Sequence, residues 1–319
     1  MAEQEDKTDI ASACMQDLKA KLSVLNPLLQ GDGSIALVGE PVHRNIGDHL
    51  IQLGTERYLA DQGFEVLARS HRFNYRADLL GRRLRAGTVI LLSGGGHLGD
   101  LYPWHQRLRE RVLRDFPSHR VVQLPQSIYF QDKAARAACA RAFRSHSDFH
   151  LVLRDRDSLE RAEGLSLQAP TLAPDMCHAL YPLERKGQGA GALLIQREDK
   201  ERDHVSDLTA PEAVADWPGL LSADDTITLA TIVGASSLGT WFGAEDAGLA
   251  NLDRWRRSLC ERAVELLSNY QEVYSTRLHG GLLAILLGRR AHFLANLTGK
   301  SQSYYTTWLS EHPDVEVLY

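Results

Sequence analysis

The sequence has few of the features that mark secreted, zinc-binding or membrane-spanning proteins. Its 319 residues include only four cysteines, Cys14, Cys139, Cys177 and Cys260, and none of them has the C-x-x-C spacing of a zinc site. The acidic, polar N-terminus does not resemble a signal peptide, and no apolar run approaches the roughly 20 residues of a membrane span. We therefore expect a cytoplasmic protein, with peripheral association at the inner face of the membrane as an alternative.

Lysine is also scarce. Seven of the 36 basic residues are lysines and the remaining 29 are arginines. The formal net charge of −5 gives no reason to expect nucleic acid as a partner, because nucleic acid attracts basic surfaces. An anionic ligand would have to be held by local positive charge, and the planar fork of arginine suits carboxylates and phosphates. The base composition of the genome would explain the arginine bias equally well.

Short β-rich runs alternate with helix-like segments along the first half of the chain. The runs are SIALVG (34–39), FEVLARS (64–70), GTVILLSGG (87–95), RVVQLPQS (120–127) and FHLVLRD (149–155), and a helix over 11–30 precedes them. Nearly continuous apolar strands separated by helices are typical of a parallel sheet that is covered on both faces. Such a sheet binds ligands at the carboxyl ends of its strands.

The same pattern restarts after about residue 180. The second set comprises strands over 191–196, 226–233, 272–276 and 292–296 and a helix over 254–268, and the polar segment 183–190 has the composition of a linker. The sequence predicts an α/β protein with two Rossmann-like doubly wound domains, 1–182 and 183–319, that face a cleft. The charge run REDKERDH (197–204) is expected to be a solvated surface loop.

Two segments of the N-terminal half place polar residues at passages from strand to helix. In LLSGGGHLGD (91–100), Gly95 and Gly96 let the backbone pass close to a ligand, unless the glycines only form a tight turn. In NIGDHLIQLG (45–54), Asn45 or Asp48 caps a helix or faces a ligand. Both segments contain a Gly-Asp pair, in Gly47-Asp48-His49 and in Gly99-Asp100-Leu101. This shared pair predicts that Asp48 and Asp100 lie in one polar pocket that accepts hydroxyl donors.

An arginine and a histidine stand where the β-like run EVYST (272–276) meets an apolar helix. Arg277 offers a forked donor to a carboxylate or phosphate, and His279 can exchange a proton near neutral pH. An anion at the N-terminus of a helix also gains from the free N–H groups there. The RLHGG sequence therefore predicts an anion site, and Lys300, after the next strand, would close it.

One further arginine is a candidate for the same edge of the fold. Arg154 ends a predicted strand, and two interpretations are open for it: a ligand clamp, or an ion pair with Asp155 or Asp157. The sequence APD (173–175) adds an acid to which sequence reasoning assigns no role. Asp155 and Asp157 form the one D-x-D pair at a strand end, which we interpret as structural, so no metal site is expected.

Taken in order, the motifs resemble those of the polysaccharide pyruvyl transferase family. The motifs are NIGDHLI (45–51), LLSGGGHLGDLY (91–102), LPQSIYF (124–130), LRDRDS (153–158), TRLHG (276–280) and NLTGKSQSYYTTW (296–308). The resemblance implies the two-domain B architecture of glycosyltransferases, with acceptor and donor sites on the N- and C-terminal domains. His97 departs from the family pattern, which commonly has Asn in the glycine-rich motif, and this departure concerns the acceptor contacts.

The resemblance also implies a reaction: transfer of a pyruvyl group from phosphoenolpyruvate to a sugar, as a ketal, with release of phosphate. It assigns the donor to Arg277, Leu278 and His279, with Arg154 as the second arginine. We add Lys300, Gly95 and Gly96 to the donor side, and Asn45, Asp48, His97 and Asp100 to the acceptor side. His279 is expected to act as acid or base, and Arg277 and Arg154 to neutralise the anion. Asp48 and Asp100 are expected to orient the acceptor hydroxyls, and either of them is an alternative candidate for the base.

No cofactor is expected, and the expected partners are phosphoenolpyruvate and a sugar or lipid-linked oligosaccharide; a homo-oligomer stays open. One rival function is a glycosyltransferase that uses a nucleotide sugar, which needs a carboxylate for the ribose. Only Glu261 and Glu265 are available for it, on an amphipathic helix. The other rival, a catalytically idle scaffold of a polysaccharide assembly complex, does not account for Arg277, His279 and Lys300.

Overall fold

The computed structural model describes residues 2–198, 211–242, 245–294 and 299–318, which form an α/β fold with two parallel β-sheets. The first sheet has the strand order β2-β1-β3-β5-β6-β7, and β4 pairs with β5. Its strands are β1 (Ser34–Glu40), β2 (Glu65–His71), β3 (Val89–Leu92), β4 (Gly95–Gly99), β5 (Val121–Tyr129), β6 (Phe149–Leu153) and β7 (Thr171–Leu172). All seven residues of β1 are buried, as expected for a strand covered on both faces.

Helices connect these strands and supply the apolar cover. They are α1 (Ala2–Lys21), α2 (Ile46–Asp61), α3 (Ala77–Arg83), α4 (Pro103–Asp115), α5 (Lys133–Arg144) and α6 (Arg156–Arg161), with 3₁₀ helices over Leu22–Leu29 and Met176–Leu180. The helix predicted over 11–30 is thus α1 followed by a 3₁₀ helix that contains Pro27. Proline has no N–H to donate, so an α-helix is disfavoured there.

The second sheet has the order β12-β11-β10-β8-β9, again with every pair parallel. Its strands are β8 (Ala192–Ile195), β9 (Ala213–Ala215), β10 (Glu272–Ser275), β11 (Arg290–Leu294) and β12 (Val315–Leu318). Its helices are α7 (Ala223–Phe242), α8 (Glu245–Ser268), α9 (Leu278–Leu286) and α10 (Lys300–Tyr304), with a 3₁₀ helix over Trp217–Leu220 and a π-helical turn over Tyr305–Leu309.

The strand predicted over 226–233 is wrong, because these residues lie inside α7. The buried positions of α7, Leu229, Ile232, Ser236 and Thr240, are three or four residues apart, which is the spacing of one helical face. The β-branched composition of TITLATIV concealed this spacing. A local signal was present nonetheless: Ser222 and Asp225 form a reciprocal capping box at the start of the helix.

The changeover between the two sheets falls between Leu172 and Ala192, and the predicted division into domains at residue 182 lies within it. Residues 199–204 of the predicted surface loop and residues 295–296 of the last predicted strand lie outside the described residues. Among the helices that the structure describes, none combines the length and apolar character needed to cross a lipid bilayer.

A buried ion cluster joins the first sheet to α8. The Arg256 guanidinium, fully buried, donates to Glu40 at 2.9 Å and to Glu56 at 3.0 Å, and Arg69 donates to Glu40 and, at 2.6 Å, to Asp253. Burial alone would raise the pKa of Glu40, but Arg69 and Arg256 hold it below its ordinary value. These ion pairs fix α8 against the ends of β1 and β2.

Candidate active site

A central pocket of about 510 Å³ lies where the strands of both sheets end. Its walls come from the segments after β1, β2, β3, β4, β6, β8, β9, β10 and β11, so the carboxyl ends of nine parallel strands contribute to it. Six Arg or Lys side chains line it against three acidic ones. The charged and titratable lining residues are His43, Arg44, Asp48, Arg72, His97, His105, Arg154, Arg197, Glu198, Asp216, Arg277, His279 and Lys300.

Arg154 and His279 meet at a carboxylate to which sequence reasoning assigned no role. Asp175 Oδ2 accepts from Arg154 Nη1 at 2.7 Å and lies 3.3 Å from His279 Nε2, and all three side chains are buried. Arg154 is therefore paired with Asp175, and the alternative pairing with Asp155 or Asp157 is wrong. Burial would raise the pKa of Asp175, but His279 and then Arg154 hold it well below its usual range. The acid therefore stays ionised in its ion pair with Arg154.

Asp175 owes its position to a short 3₁₀ helix that it caps. Its Oδ1 accepts from the backbone N–H of Cys177 at 2.9 Å, and its own N–H donates to the Tyr304 hydroxyl at 2.9 Å. Arg154 is also held by Ser127, because its Nε donates to Ser127 Oγ at 2.9 Å. No described residue accepts from Arg154 Nη2, the nitrogen that faces Gly96.

Arg277 is held by a second carboxylate that the sequence did not reveal. Its Nε and Nη2 form a two-point ion pair with Asp216, the second contact at 2.7 Å, and both side chains are buried. Asp216 also caps the 3₁₀ helix that begins at Trp217, through an N–H contact of 2.8 Å. The Asp-Trp-Pro sequence was a usable signal here, because Asp before a proline-containing first turn is a helix start.

The position of His279 depends on the two glycines that follow it in the chain. Arg277 occupies the N-cap position of α9, and every residue of that helix is buried. A Cβ at Gly280 would lie 2.1 Å from Ser275 Oγ, and one at Gly281 would lie 2.3 Å from the Phe293 ring. The two glycines thus let α9 pack directly on β10 and β11, which places the first turn of the helix at the pocket.

The glycine-rich segment forms the opposite wall and meets Lys300. Lys300 Nζ donates to Gly96 O at 2.9 Å. A Cβ at Gly96 would lie 2.9 Å from Arg154 Nη2 and 3.5 Å from Lys300 Nζ, so a side chain there would cover both cations. Gly95 has a φ of 134°, which favours glycine, and it lies beside His97 and Asp48. The tight turn that was the alternative for these glycines is not formed, because Gly95 begins β4.

Asn45 and Asp48 both act at the start of α2. Asn45 is its N-cap, with Oδ1 accepting from the Gly47 N–H at 3.2 Å, while its Nδ2 donates to Asp48 Oδ2 at 3.0 Å. The capping interpretation is therefore confirmed for Asn45. Asp48 lines the pocket and also lies 3.3 Å from His43 Nε2.

His97 lines the pocket as a neutral ring. Arginine can only donate, so the 3.0 Å contact from Arg109 Nη2 makes His97 Nδ1 an acceptor and leaves the proton on Nε2, 3.1 Å from Gly94 O. Burial, with His105 and Arg109 nearby, lowers the pKa of His97 well below its ordinary value. The ring stacks on His105 with centroids 4.2 Å apart.

Asp100 does not join Asp48 in the central pocket, contrary to the prediction. Its Oδ2 accepts from the backbone N–H groups of Gln131 and Asp132 at 2.8 and 2.7 Å, and it is absent from the pocket lining. The shared sequence pattern was misleading because Gly99 ends a strand whereas Gly47 lies inside a helix. The two aspartates therefore follow different backbone paths.

The pocket is also lined by two residues of the charge-rich segment and by one residue at the start of α9. Arg197 and Glu198, the first residues of the predicted surface loop, line the pocket instead. Leu278, assigned to the donor by resemblance, also lines it. The carboxylates considered for a nucleotide ribose, Glu261 and Glu265, are exposed on α8 and absent from the lining.

One trio of described side chains has the spacing of metal ligands. Asp175, Cys177 and His279 place their donor atoms within 4.8 Å of one another. Burial, followed by the charge of Asp175, raises the pKa of the Cys177 thiol well above its ordinary value, so it is not a thiolate. The guanidinium of Arg154 already contacts Asp175. The chemistry of this trio suits an ion pair better than a cation.

Replacing Gly47 by Ala tests how closely His279 is positioned. A Cβ at residue 47 would lie 2.7–2.9 Å from Nδ1, Cγ and Cβ of His279, so the ring must move. We expect turnover to fall by about 10²-fold, since a displacement of about 1 Å can cost that much, while the melting temperature changes little because alanine favours the helix. The control is Gly81→Ala in α3, where the nearest atom is 3.6 Å away. Equal turnover in the two variants would contradict the geometry.

Comparison with known proteins gives consistent matches over most of the chain. A family model described as polysaccharide pyruvyl transferase matches residues 45–298. The putative pyruvyl transferase EpsO of Bacillus subtilis (strain 168) is 31% identical over 95% of this chain and 94% of its own length. Pyruvyl transferase 1 of Schizosaccharomyces pombe is 28% identical over 88% of this chain and 70% of its own length.

A solved structure gives a match to the fold. An uncharacterized protein of Klebsiella pneumoniae superposes with a TM-score of 0.56 at 17% identity, and the match covers 95% of this chain and 98% of that protein. At this level of identity the likeness concerns the fold alone.

Proposed function

The chain belongs to the polysaccharide pyruvyl transferase family, and we propose that it transfers the pyruvyl group of phosphoenolpyruvate to hydroxyls of a sugar residue of an exopolysaccharide or its lipid-linked precursor. The product is a pyruvate ketal, and phosphate is released. The observation that carries the proposal is the convergence of Arg154, Arg277, His279 and Lys300 on one pocket, from three different segments of the chain.

The charge of the pocket suits a small, doubly anionic donor. Phosphoenolpyruvate carries a carboxylate and a phosphate, and six basic residues line the pocket against three acidic ones. Arg154 and Arg277 are each fixed by a buried aspartate, so their donor groups are already oriented before a ligand arrives. The start of α9 adds backbone N–H groups to the same anion site.

The reaction needs several proton movements, for which the pocket has suitable groups. C3 of the enol must gain one proton before C2 becomes electrophilic, two sugar hydroxyls must lose theirs, and the departing phosphate takes the second proton. His279, hydrogen-bonded to Asp175 on the donor side, is the candidate for one of these transfers. Breakage of the C2–O bond to phosphate needs no change of oxidation state, so the proposal involves no cofactor.

The two sheets suggest how the substrates are distributed. We assign the donor to the C-terminal residues Arg277, His279 and Lys300, with Arg154, and the acceptor to the wall with Asp48 and His97. This corresponds to the two-domain B architecture of glycosyltransferases, with domains 1–182 and 183–319. A lipid-linked acceptor would bring the protein to the inner face of the membrane, and assembly into a homo-oligomer is compatible with this role.

The direct test is phosphate release from phosphoenolpyruvate in the presence of p-nitrophenyl hexosides with paired free hydroxyls. We expect release only when both substrates are present, and His279→Ala should lower turnover by about 10²-fold or more. His119→Ala, outside the pocket lining, is the matched control. No release by the wild-type protein with any of the hexosides would contradict the proposal.

A thermal-shift panel separates the proposal from a glycosyltransferase. A ligand at 100 times its Kd stabilises a protein by about 2.7 kcal/mol. We expect phosphoenolpyruvate to raise the melting temperature and UDP- and GDP-sugars to leave it unchanged. Stabilisation by a nucleotide sugar and not by phosphoenolpyruvate would favour the rival.

A further inference from the structure

Besides the pair of Asp175 and His279, a second histidine–carboxylate pair lies at the pocket, in the segment that leads into α2. His43 lies in the segment between β1 and α2, and its Nε2 is 3.3 Å from Oδ2 of Asp48 in the first turn of α2. Both side chains line the pocket and both are partly accessible from it. Sequence reasoning did not single out His43.

The hydrogen bonds around this pair define which atoms are occupied. The backbone N–H of Asn45 donates to His43 Nδ1 at 3.3 Å, so Nδ1 is an acceptor and the proton of the neutral ring is on Nε2, where it donates to Asp48. Asn45 Nδ2 donates to the same Oδ2 at 3.0 Å. Oδ2 thus has two donors, whereas no described residue donates to Oδ1.

The free oxygen of Asp48 faces the glycine-rich wall. A Cβ at Gly95 would lie 3.3 Å from Oδ1, so glycine at this position leaves the oxygen uncovered. Aspartate in this arrangement has one oxygen fixed by the protein and one open to a ligand. That is the arrangement that a proton acceptor for a sugar hydroxyl requires.

The surroundings keep His43 neutral. The titratable and charged groups around it are Asp48 and His49 on α2, Arg72 after β2, His97 on β4 and His105 on α4. Burial lowers the pKa of His43, and Arg72 adds to this effect while Asp48 opposes it. A neutral ring adds no charge to the pair, so the carboxylate remains the basic group.

We propose that Asp48 is the catalytic base for the acceptor and that His43 is the residue that positions it. Asp48 Oδ1 takes the proton of a sugar hydroxyl while the oxygen of that hydroxyl bonds to C2 of the donor. The Nε2–H of His43 holds Oδ2 in place throughout. This inference rests on the proposed pyruvyl transfer. It separates the two sides of the chemistry: Asp175 and His279 act on the donor, and His43 and Asp48 act on the acceptor.

The experiment compares three variants in the phosphate-release assay with the p-nitrophenyl hexoside that gives the highest wild-type rate. Asp48→Asn should lower kcat by about 10²-fold or more, because the base is lost. His43→Ala should lower kcat about tenfold and move the acid limb of the pH–rate profile to higher pH, since the carboxylate loses a donor that favours its ionised form. His43→Gln keeps an N–H donor and should restore most of kcat and the wild-type acid limb.

A second measurement distinguishes loss of the base from misfolding and from loss of donor binding. Calorimetric titration with phosphoenolpyruvate should give the wild-type Kd for Asp48→Asn and His43→Ala, because neither residue lies on the donor side. The inference would be overturned by loss of donor binding in either variant, by a wild-type kcat in Asp48→Asn, or by an unmoved acid limb in His43→Ala. In each of these cases, turnover by the wild-type protein would still support the proposed function. Absence of wild-type phosphate release would overturn both.

Discussion

Replacing Asp175 by Asn is expected to lower turnover by about 10³-fold and to destabilise the protein by about 3–5 kcal/mol. Asparagine has nearly the same shape and can still accept from the Cys177 N–H, so the substitution removes little but the charge. Arg154 is 2% exposed and contacts this carboxylate at 2.7 Å. Without the Asp175 carboxylate, the buried guanidinium loses its direct ion-pair partner, and His279 loses the partner that orients its ring. Urea denaturation and steady-state kinetics measure the two effects.

The control and the compensating variant make this prediction specific. Asp148→Asn removes a half-exposed carboxylate that pairs with Arg120 at the surface, and it should cost less than about 1 kcal/mol with full turnover. Combining Asp175→Asn with Arg154→Met removes both buried charges and should recover much of the stability. Turnover should remain low, because the variant lacks the Arg154 guanidinium that is proposed to bind the phosphoenolpyruvate donor. Wild-type turnover in Asp175→Asn would show that the Arg154–Asp175–His279 arrangement is not part of the site.

Mild acid is expected to have the second large effect, a steep loss of stability below about pH 6.5. Burial lowers the pKa of seven of the described histidines, and the shift is large in five of them: to about 4 in His71 and His178, to about 3 in His105, and well below the ordinary value in His49 and His97. Each ring is neutral in the folded protein but takes up a proton on unfolding. The stabilisation that depends on this difference is complete above the unfolded pKa and decreases as the pH falls towards the folded values.

The expected size follows from counting these rings. Between pH 6.5 and 5.5 each histidine contributes about 1 kcal/mol to the loss, so the free energy of unfolding should fall by about 5 kcal/mol in total. Urea denaturation at several pH values measures the slope. His71→Gln, which keeps a partner for Ser236 Oγ, should reduce the slope by about one proton. A free energy of unfolding that stays constant from pH 6.5 to 5.5 would contradict the neutral state of these rings.

The pattern of strands and helices could be predicted wherever burial was continuous or helical spacing was regular. Every residue of β1 and α9 is buried, and both elements were recognised from their apolar runs. α7 was not, because its apolar residues are also β-branched and its helical signal lay in the capping residues Ser222 and Asp225. The β-branched composition of this segment indicated a strand, whereas only two capping residues indicated a helix. Their capping role is evident only from the hydrogen bonds of the folded protein.

The lining of the pocket was predictable where a residue stands at the end of a strand, but the partners that hold such a residue in place were not. Arg154, Arg277 and Lys300 all line the predicted pocket. Their carboxylate partners Asp175 and Asp216 come from other segments, after short strands that the sequence did not indicate. Pairing across segments is a product of the tertiary fold, and a single sequence contains no direct record of it.

A crystal structure with phosphoenolpyruvate bound would test the central claim most directly. We predict that the ligand lies in the central pocket, with its carboxylate and phosphate oxygens within about 3.2 Å of the side-chain nitrogens of Arg154, Arg277 and Lys300. His279 should then stand beside the vinyl group, opposite Asp48. Phosphoenolpyruvate bound elsewhere on the protein, or in the pocket without contact to either arginine, would contradict the account.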